Sequence, residues 1–408
     1  MTAAVNRAES LEEFRVRARA WCEENVPKGW REQQLGAVED ELVSFQRNWR
    51  ATLQSGGYLA AHWPREWGGS DLPLPHQAVL AEELARADAP RLALYQVAIY
   101  NAAPAIMHFG TPEQKQRHLL GIQNGDVWCQ GFSEPGAGSD LASLSTRAER
   151  RGDVFVVNGQ KVWTSWAMRA DWCFMLVRTD PAAPKRHGIT FLLVDMTTPG
   201  IEARPITQAT GAAEFCELFL TDVEVPVENV LGPVNEGWRV SQTTLASERG
   251  VTILELAERL HRNGLEGLID AMAGWTGEDG RPVLDDPSTR ERLGGFYGEV
   301  QILRAMCQRL IESMTAHGGV GTEASVIKLY YSELLQRFMD FAVQVRGLPA
   351  QIAQPLLLSG GWETGNWAHD FLNSWSWTIA GGSNEIQRNI IGEQGLGLPR
   401  EPRAVGER

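Results

Sequence analysis

The chain has few of the residues that would cross-link it, anchor it or draw it to a polyanion. Its five cysteines, Cys22, Cys129, Cys173, Cys216 and Cys307, are odd in number, widely spread and without C-x-x-C spacing. That argues against a disulfide framework and a zinc site, and for a reducing compartment. No run approaches the roughly 18 apolar residues that a membrane span needs. The N-terminus carries charges every few residues in place of an apolar signal core, so the cytoplasm is the expected location. Basic residues are in deficit, 38 Lys and Arg against 51 Asp and Glu; nucleic acid and anionic membranes, which demand a basic footprint, are poor partners. The histidines, among them His62, His108 and His317, show no metal-ligating spacing.

What remains is a globular composition, 43% hydrophobic over 408 residues, enough for a large core shared by two or three domains. Helical periodicity organises the first stretch. Leu11, Phe14, Ala18, Trp21 and Cys22 fall on one side of a segment from Ser10 to about Val26, and further helices are expected at 39–53, 75–87, 90–109 and 113–124, the last behind a Thr111-Pro112 start signal. From 127 the apolar residues come in short β-type runs, at 154–157, 172–177, 189–194 and 218–220, separated by Gly, Pro and Asn/Asp turns. Helical spacing returns after Pro226 and Pro233, at about 238–273, 287–316, 323–346 and 366–380, and a last helix opens at Ser383. The expected class is α+β, mainly α: an all-helical domain over 1–126, a β domain over 127–236, a helical bundle over 237–400 and a tail over 401–408. The Trp-rich stretch 360–377 has no functional reading.

Two segments carry the chemistry. Gly131-Phe-Ser-Glu-Pro-Gly-Ala-Gly-Ser-Asp140 holds three glycines and a proline, so it continues neither helix nor sheet and leaves backbone N–H groups and small hydroxyls free to approach a flat or anionic ligand. It lacks the strand–GxGxxG–helix context of a dinucleotide fingerprint and the Gly-Lys-Ser/Thr of a P-loop. Further on, Asn158-Gly-Gln-Lys-Val-Trp-Thr-Ser165 reads as an Asn-Gly hairpin turn running into a strand that delivers an indole and two hydroxyls. On the helix expected at 238–273, Glu248 shares a largely apolar stripe with Leu245, Thr252 and Leu256. Taken alone, such a carboxylate reads as a partly exposed or ion-paired helix residue.

Together with Trp63-Pro-Arg-Glu-Trp-Gly-Gly69, Thr190-Phe-Leu-Leu-Val-Asp195, Phe219-Leu-Thr-Asp-Val-Glu-Val-Pro-Val-Glu-Asn-Val230 and Ile379-Ala-Gly-Gly-Ser-Asn-Glu-Ile-Gln-Arg-Asn-Ile-Ile391, these motifs make the chain resemble the acyl-CoA dehydrogenase flavoproteins from about Leu11 to Arg400. The resemblance implies a helical, a β-barrel-like and a four-helix-bundle domain. It also implies α,β-desaturation of an acyl-CoA or acyl-carrier thioester, with the β-hydride passing to N5 of FAD. An electron-transfer flavoprotein would be the electron acceptor, and the assembly a homotetramer or, alternatively, a heterotetramer.

Residue by residue, the resemblance places Phe132 and Ser133 against the flavin ring, Ser139 at the pyrophosphate or a nearby ligand phosphate, Trp163 over one ring face with Thr164 beside it, and Ser165 near N5. Arg281, Ser383 and Glu385 complete the cofactor set, and Ser139, Leu245 and Arg249 fall at substrate positions. Many members carry the catalytic Glu just before the Gly of the last motif, where this chain has Gly381. The base is therefore implied at the other family position, Glu248 directly before Arg249, as in the long-chain and isovaleryl enzymes, while Gly381 offers its backbone N–H to the thioester carbonyl. Two departures stand out. The Arg that members usually send to a neighbouring subunit's flavin is replaced by Trp275 or Thr276 in Gly274-Trp-Thr-Gly-Glu-Asp-Gly-Arg-Pro282, and Arg346-Gly-Leu-Pro-Ala350 stands where a Gly-rich flavin-contacting turn is common. They leave open a non-catalytic or half-catalytic subunit of a heteromeric enzyme; a flavin oxidase or monooxygenase on the same fold is the other alternative.

Overall fold

The structure, a computed structural model, describes residues 9–34, 37, 39–247, 251–319, 321–352 and 364–400. It divides into two compact units. One holds the described parts of Met1–Pro73 and Ala89–Glu248; the other those of Leu74–Asp88, Arg249–Gln354 and Trp362–Arg408.

In the first unit, the Leu11–Asn25 helix starts at a capping box in which the Ser10 hydroxyl accepts from the Glu13 N–H and the Glu13 carboxylate accepts from the Ser10 N–H, satisfying two donors that a helix start otherwise leaves orphaned. Thr111 and Gln114 repeat the device at the Pro112–Asn124 helix. The expected helix at 90–109 starts later: turns lead into a π-helical segment, Val97–Ala102, that passes into the Ala103–Phe109 helix.

The strands are β1 (Trp128–Gly131), β2 (Arg147–Arg151), β3 (Val154–Ser165), β4 (Trp172–Arg178), β5 (Ile189–Asp195), β6 (Ile201–Ile206) and β7 (Phe215–Pro226). They form one sheet in the order β1-β4-β2-β3-β7-β6, with β5 also on β4. Its core of Phe155, Val157, Met175, Leu192, Leu218 and Val223 is buried, as the apolar runs require. The Asn158-Gly159 pair is not a turn. It lies inside β3, at a register shift against β7, and the hairpin instead closes at Gly152-Asp153, with Arg151 opposite Val154. Gly159 is there for room: a Cβ at that site would stand 2.8 Å from the Thr146 Cα and 2.6 Å from its Oγ1. Asn158 faces along the sheet to Asp222, donating to its carboxylate and accepting from its N–H, both at 3.0 Å.

The second unit is helical. Pro287–His317 and Glu323–Arg346 are its long elements, and their buried faces, including Val300, Leu303, Leu334, Leu335 and Phe338, build one core with Leu256, Leu260 and Leu268. The Leu74–Arg86 helix, although early in the chain, packs here on the Val251–Arg259 helix, and the Asn263 side-chain amide donates to Asp88 at 2.7 Å. Among the described residues no helix is long and apolar enough to cross a membrane.

Candidate active site

β1 delivers the chain to the glycine-rich loop at Gly131, where a Cβ would press on Cys173 and Met175 at 3.0 and 3.1 Å. Glu134 and Ala137 then exchange backbone hydrogen bonds, both 3.0 Å, closing a tight turn over Pro135-Gly136. Gly136 and Gly138 have nothing within 4 Å of a virtual Cβ, so the backbone there is open to a ligand. Ser139 is exposed and Ser133 half-buried. Phe132 differs from expectation. Its ring is buried, edge-on to Phe174 and Phe191 at 5.5 and 5.9 Å, so its aromatic face belongs to the core and only its backbone is left for a cofactor.

The loop is tied to β3 by residues that sequence reasoning did not single out. Lys161, fully buried, donates to Glu134 Oε1 at 2.8 Å and to the Phe132 carbonyl at 3.2 Å, and the Val162 N–H donates to the Ser133 carbonyl at 2.9 Å. The Glu134 carboxylate also accepts from the Ser145 N–H and hydroxyl and from the Thr146 N–H. Burial pushes the Glu134 pKa up, but the Lys161 ammonium and these donors outweigh it and take the group down to about 2. Burial lowers the Lys161 pKa against the opposing pull of Glu134. A charged residue at each motif was visible in the sequence; that they meet was not.

Just beyond Lys161 the pairing of β3 with β7 breaks again, and Trp163 sits in the break with φ +60°. A left-handed backbone is costly for a bulky residue and clusters at functional sites. Its consequence here is an indole 57% exposed, touched edge-on by Phe215 at 6.2 Å. Thr164 is fully buried, yet its Oγ1 has no hydrogen-bond partner among the described residues; a buried hydroxyl left so costs about 1–3 kcal/mol unless a ligand satisfies it. Ser165 follows, half-buried, opposite Phe215. An exposed flat indole, an orphaned hydroxyl and an open glycine loop are a donor and stacking set that fits an isoalloxazine. Leu245 is half-buried on the Gly237–Ser247 helix. Glu248 and Arg249 lie outside the described residues.

In the second unit, Gly381 and Gly382 have φ +66° and +89°, and Ser383 caps the Asn384–Ile390 helix by accepting from the Ile386 N–H. Their carbonyls are held from behind. Gln387 donates to both, at 3.0 and 3.1 Å, and buried Lys328 donates to the Gly382 carbonyl at 2.8 Å and to Asn384 Oδ1 at 3.0 Å. Lys328, a helix residue that looked unremarkable in the sequence, is thus part of this turn. Glu385 is exposed in the first turn, and backbone and Ser383 hydrogen bonds hold its carboxyl below the usual range. Trp275 is buried, edge-on to Trp367 at 6.3 Å, with the Arg346 guanidinium 4.7 Å from its ring centroid. Arg281 stands exposed beside Asp279 at 3.9 Å. Among the described residues no group of three His, Cys, Asp or Glu could hold a metal ion.

Comparison with known proteins adds to this geometry. Family models for the acyl-CoA dehydrogenase N-terminal, middle and C-terminal domains match residues 8–126, 129–223 and 235–396. Acyl-CoA dehydrogenase IpdE1 of Mycobacterium tuberculosis is 38% identical over 397 residues, covering 96% of this chain and 99% of that protein. Of solved structures, the Tcur3481-Tcur3483 steroid ACAD matches with a TM-score of 0.82 at 31% identity, over 97% of this chain and 100% of the other. The ChsE4-ChsE5 complex from Mycobacterium tuberculosis matches with 0.77 at 30%, over 97% and 99%.

Proposed function

The chain belongs to the acyl-CoA dehydrogenase family, whose members are FAD-dependent oxidoreductases, and from that premise we propose that it desaturates a steroid-derived acyl-CoA between its α and β carbons. The observation that carries the substrate class is the end-to-end likeness to a protein named a steroid ACAD. Ser133, Trp163, Thr164 and Ser165 would hold the flavin ring, with Ser139, Arg281 and Ser383 at the polar arm. Glu385, an ionised carboxylate, suits the cofactor's hydroxyls, since it accepts hydrogen bonds and repels phosphate. Bound FAD supplies the two-electron acceptor for the β-hydride.

The chain's own residues do the rest. Glu248 takes the α-proton, and the electron pair of the broken Cα–H bond becomes the new C=C bond as the hydride leaves the β carbon. Gly381 N–H donates to the thioester carbonyl, where negative charge grows as the proton departs; preorganised donors of this kind are among the larger contributions an enzyme makes. Leu245, on the Gly237–Ser247 helix, contacts the acyl group, and Arg249, next to the base in sequence, orients it. The test is anaerobic bleaching of the flavin absorbance against CoA thioesters of steroid side-chain and ring fragments, branched acids and straight-chain acids. Bleaching by straight-chain thioesters alone overturns the substrate class; bleaching by none overturns the desaturation.

A second reading concerns assembly. Both solved relatives above are named as pairs of different chains, and Trp275, where a cross-subunit Arg is expected, is committed to the helical core against Trp367 and Arg346. A tetramer completed by a paralogous chain that supplies the missing cation fits this better than a homotetramer. Solution mass and FAD content per subunit, measured for the chain alone and with a co-expressed paralogue, decide it: a stable, fully flavinylated homotetramer rules the second chain out.

A further inference from the structure

We propose that the buried Lys161–Glu134 pair is a positioning device for the flavin site, setting the direction of the Ser133 donors and locking that loop to the strand that carries Trp163; this rests on the FAD-binding reading above.

Net stability does not explain why a charged pair stands here in place of an apolar one. Lys161 is 0% and Glu134 5% exposed, and removing two charges from water costs so much that an apolar pair of equal volume usually serves a core as well or better. What an apolar pair cannot do is aim. Four donors converge on the two Glu134 oxygens from β3, from Ser145 and from Thr146, so three chain segments meet at one carboxylate. The second Lys161 bond, to the Phe132 carbonyl, has a specific consequence. The peptide group is planar, so fixing the Phe132 C=O fixes the Ser133 N–H that points the opposite way. The next carbonyl, that of Ser133, is fixed by the Val162 N–H, and the Glu134 N–H is already engaged by Ala137. Between Ser133 and Glu134 the donors left to face a ligand are the Ser133 N–H and hydroxyl, and Lys161 sets the angle at which that N–H does so. The same lysine lies two residues before Trp163, whose left-handed backbone puts its indole out of the sheet. One side chain thereby links the ring-facing donor to the ring-covering indole.

The test uses the enzyme as purified, with its partner chain if one is required, and FAD itself as the probe. Because either single variant strands a buried charge, the main variant is the double Lys161→Met/Glu134→Gln, which removes both charges at similar volume. It should fold but bind FAD at least about tenfold more weakly, and the flavin it retains should show an altered visible circular-dichroism spectrum and a shifted reduction potential. Unchanged affinity, spectrum and potential overturn the inference. If the double variant does not fold, Ser145→Ala serves: it removes one outer donor to Glu134 and should move affinity and spectrum the same way by a smaller factor, about two- to fivefold. No movement there is equally fatal. A wild-type enzyme that binds no FAD sinks the cofactor reading instead, so the two failures are distinct.

Discussion

At the scale of single residues, two carboxylates have opposite tasks. On the mechanism proposed above Glu248 takes the α-proton, so Glu248→Gln should keep fold and FAD content while slowing thioester-dependent flavin reduction by on the order of a thousandfold or more. Stopped-flow bleaching close to the wild-type rate would place the base elsewhere. Gly381→Glu should not rescue it, because φ is +66° there and a side chain in that region costs about 1–2 kcal/mol. Glu134 must never be protonated, and its pKa near 2 in place of the usual 4.5 makes it a source of stability that is full above 4.5 and lost as pH falls toward 2. His118, buried edge-on between Trp128 and Trp172, and His62, stacked on Tyr100, are both pushed by burial from 6.5 to about 4. Between those values the unfolded chain binds protons that the folded one refuses, so they too cost stability on acidification, starting earlier. Urea midpoints should therefore begin to fall below about pH 6.5 and fall more steeply below about 4.5. His118→Phe should flatten the first part of that decline; a wild-type midpoint constant from pH 7 to 4 would contradict the account.

At the scale of elements, what is local was legible. Ser10 with Glu13, and Thr111 with Pro112 and Gln114, announce helix starts because a cap needs only neighbouring residues, and the strands at 172–177 and 189–194 show as apolar runs because both faces are covered. Asn158-Gly159 misled for the converse reason. Whether such a pair turns depends on what lies across the sheet, and here β7 and Thr146 keep it extended. Gly159→Ala follows from this: overpacking a site 2.8 Å from backbone should destabilise by about 1–3 kcal/mol, read as a lower urea midpoint. No loss would mean that Thr146 moves aside freely. The candidate site divides the same way. Trp163, Thr164 and Ser165 could be picked from a motif, whereas Glu134, Lys161, Lys328 and Gln387 act through contacts between residues far apart in the chain. That the Phe132 ring packs on Phe174 and Phe191 was not legible, because an aromatic beside a glycine loop looks the same in sequence whether its ring faces a ligand or the core.

At the scale of the whole molecule, the electron acceptor separates a dehydrogenase from an oxidase on the same fold. The reduced enzyme should turn over with an electron-transfer flavoprotein or an artificial dye and react slowly with oxygen while product is bound. Peroxide released at every turnover would move the assignment to the oxidase. The Leu74–Arg86 helix raises a different matter, that of birth order. It buries Val79, Leu80, Ala81 and Ala85 against helices that begin at Val251, some 165 residues later on the ribosome. At synthesis rates of about 5–20 residues per second, its apolar face waits roughly 10–30 s for a partner. A nascent chain halted after the β sheet should accordingly be held by a chaperone through this helix, and release should come only once the later helices have emerged.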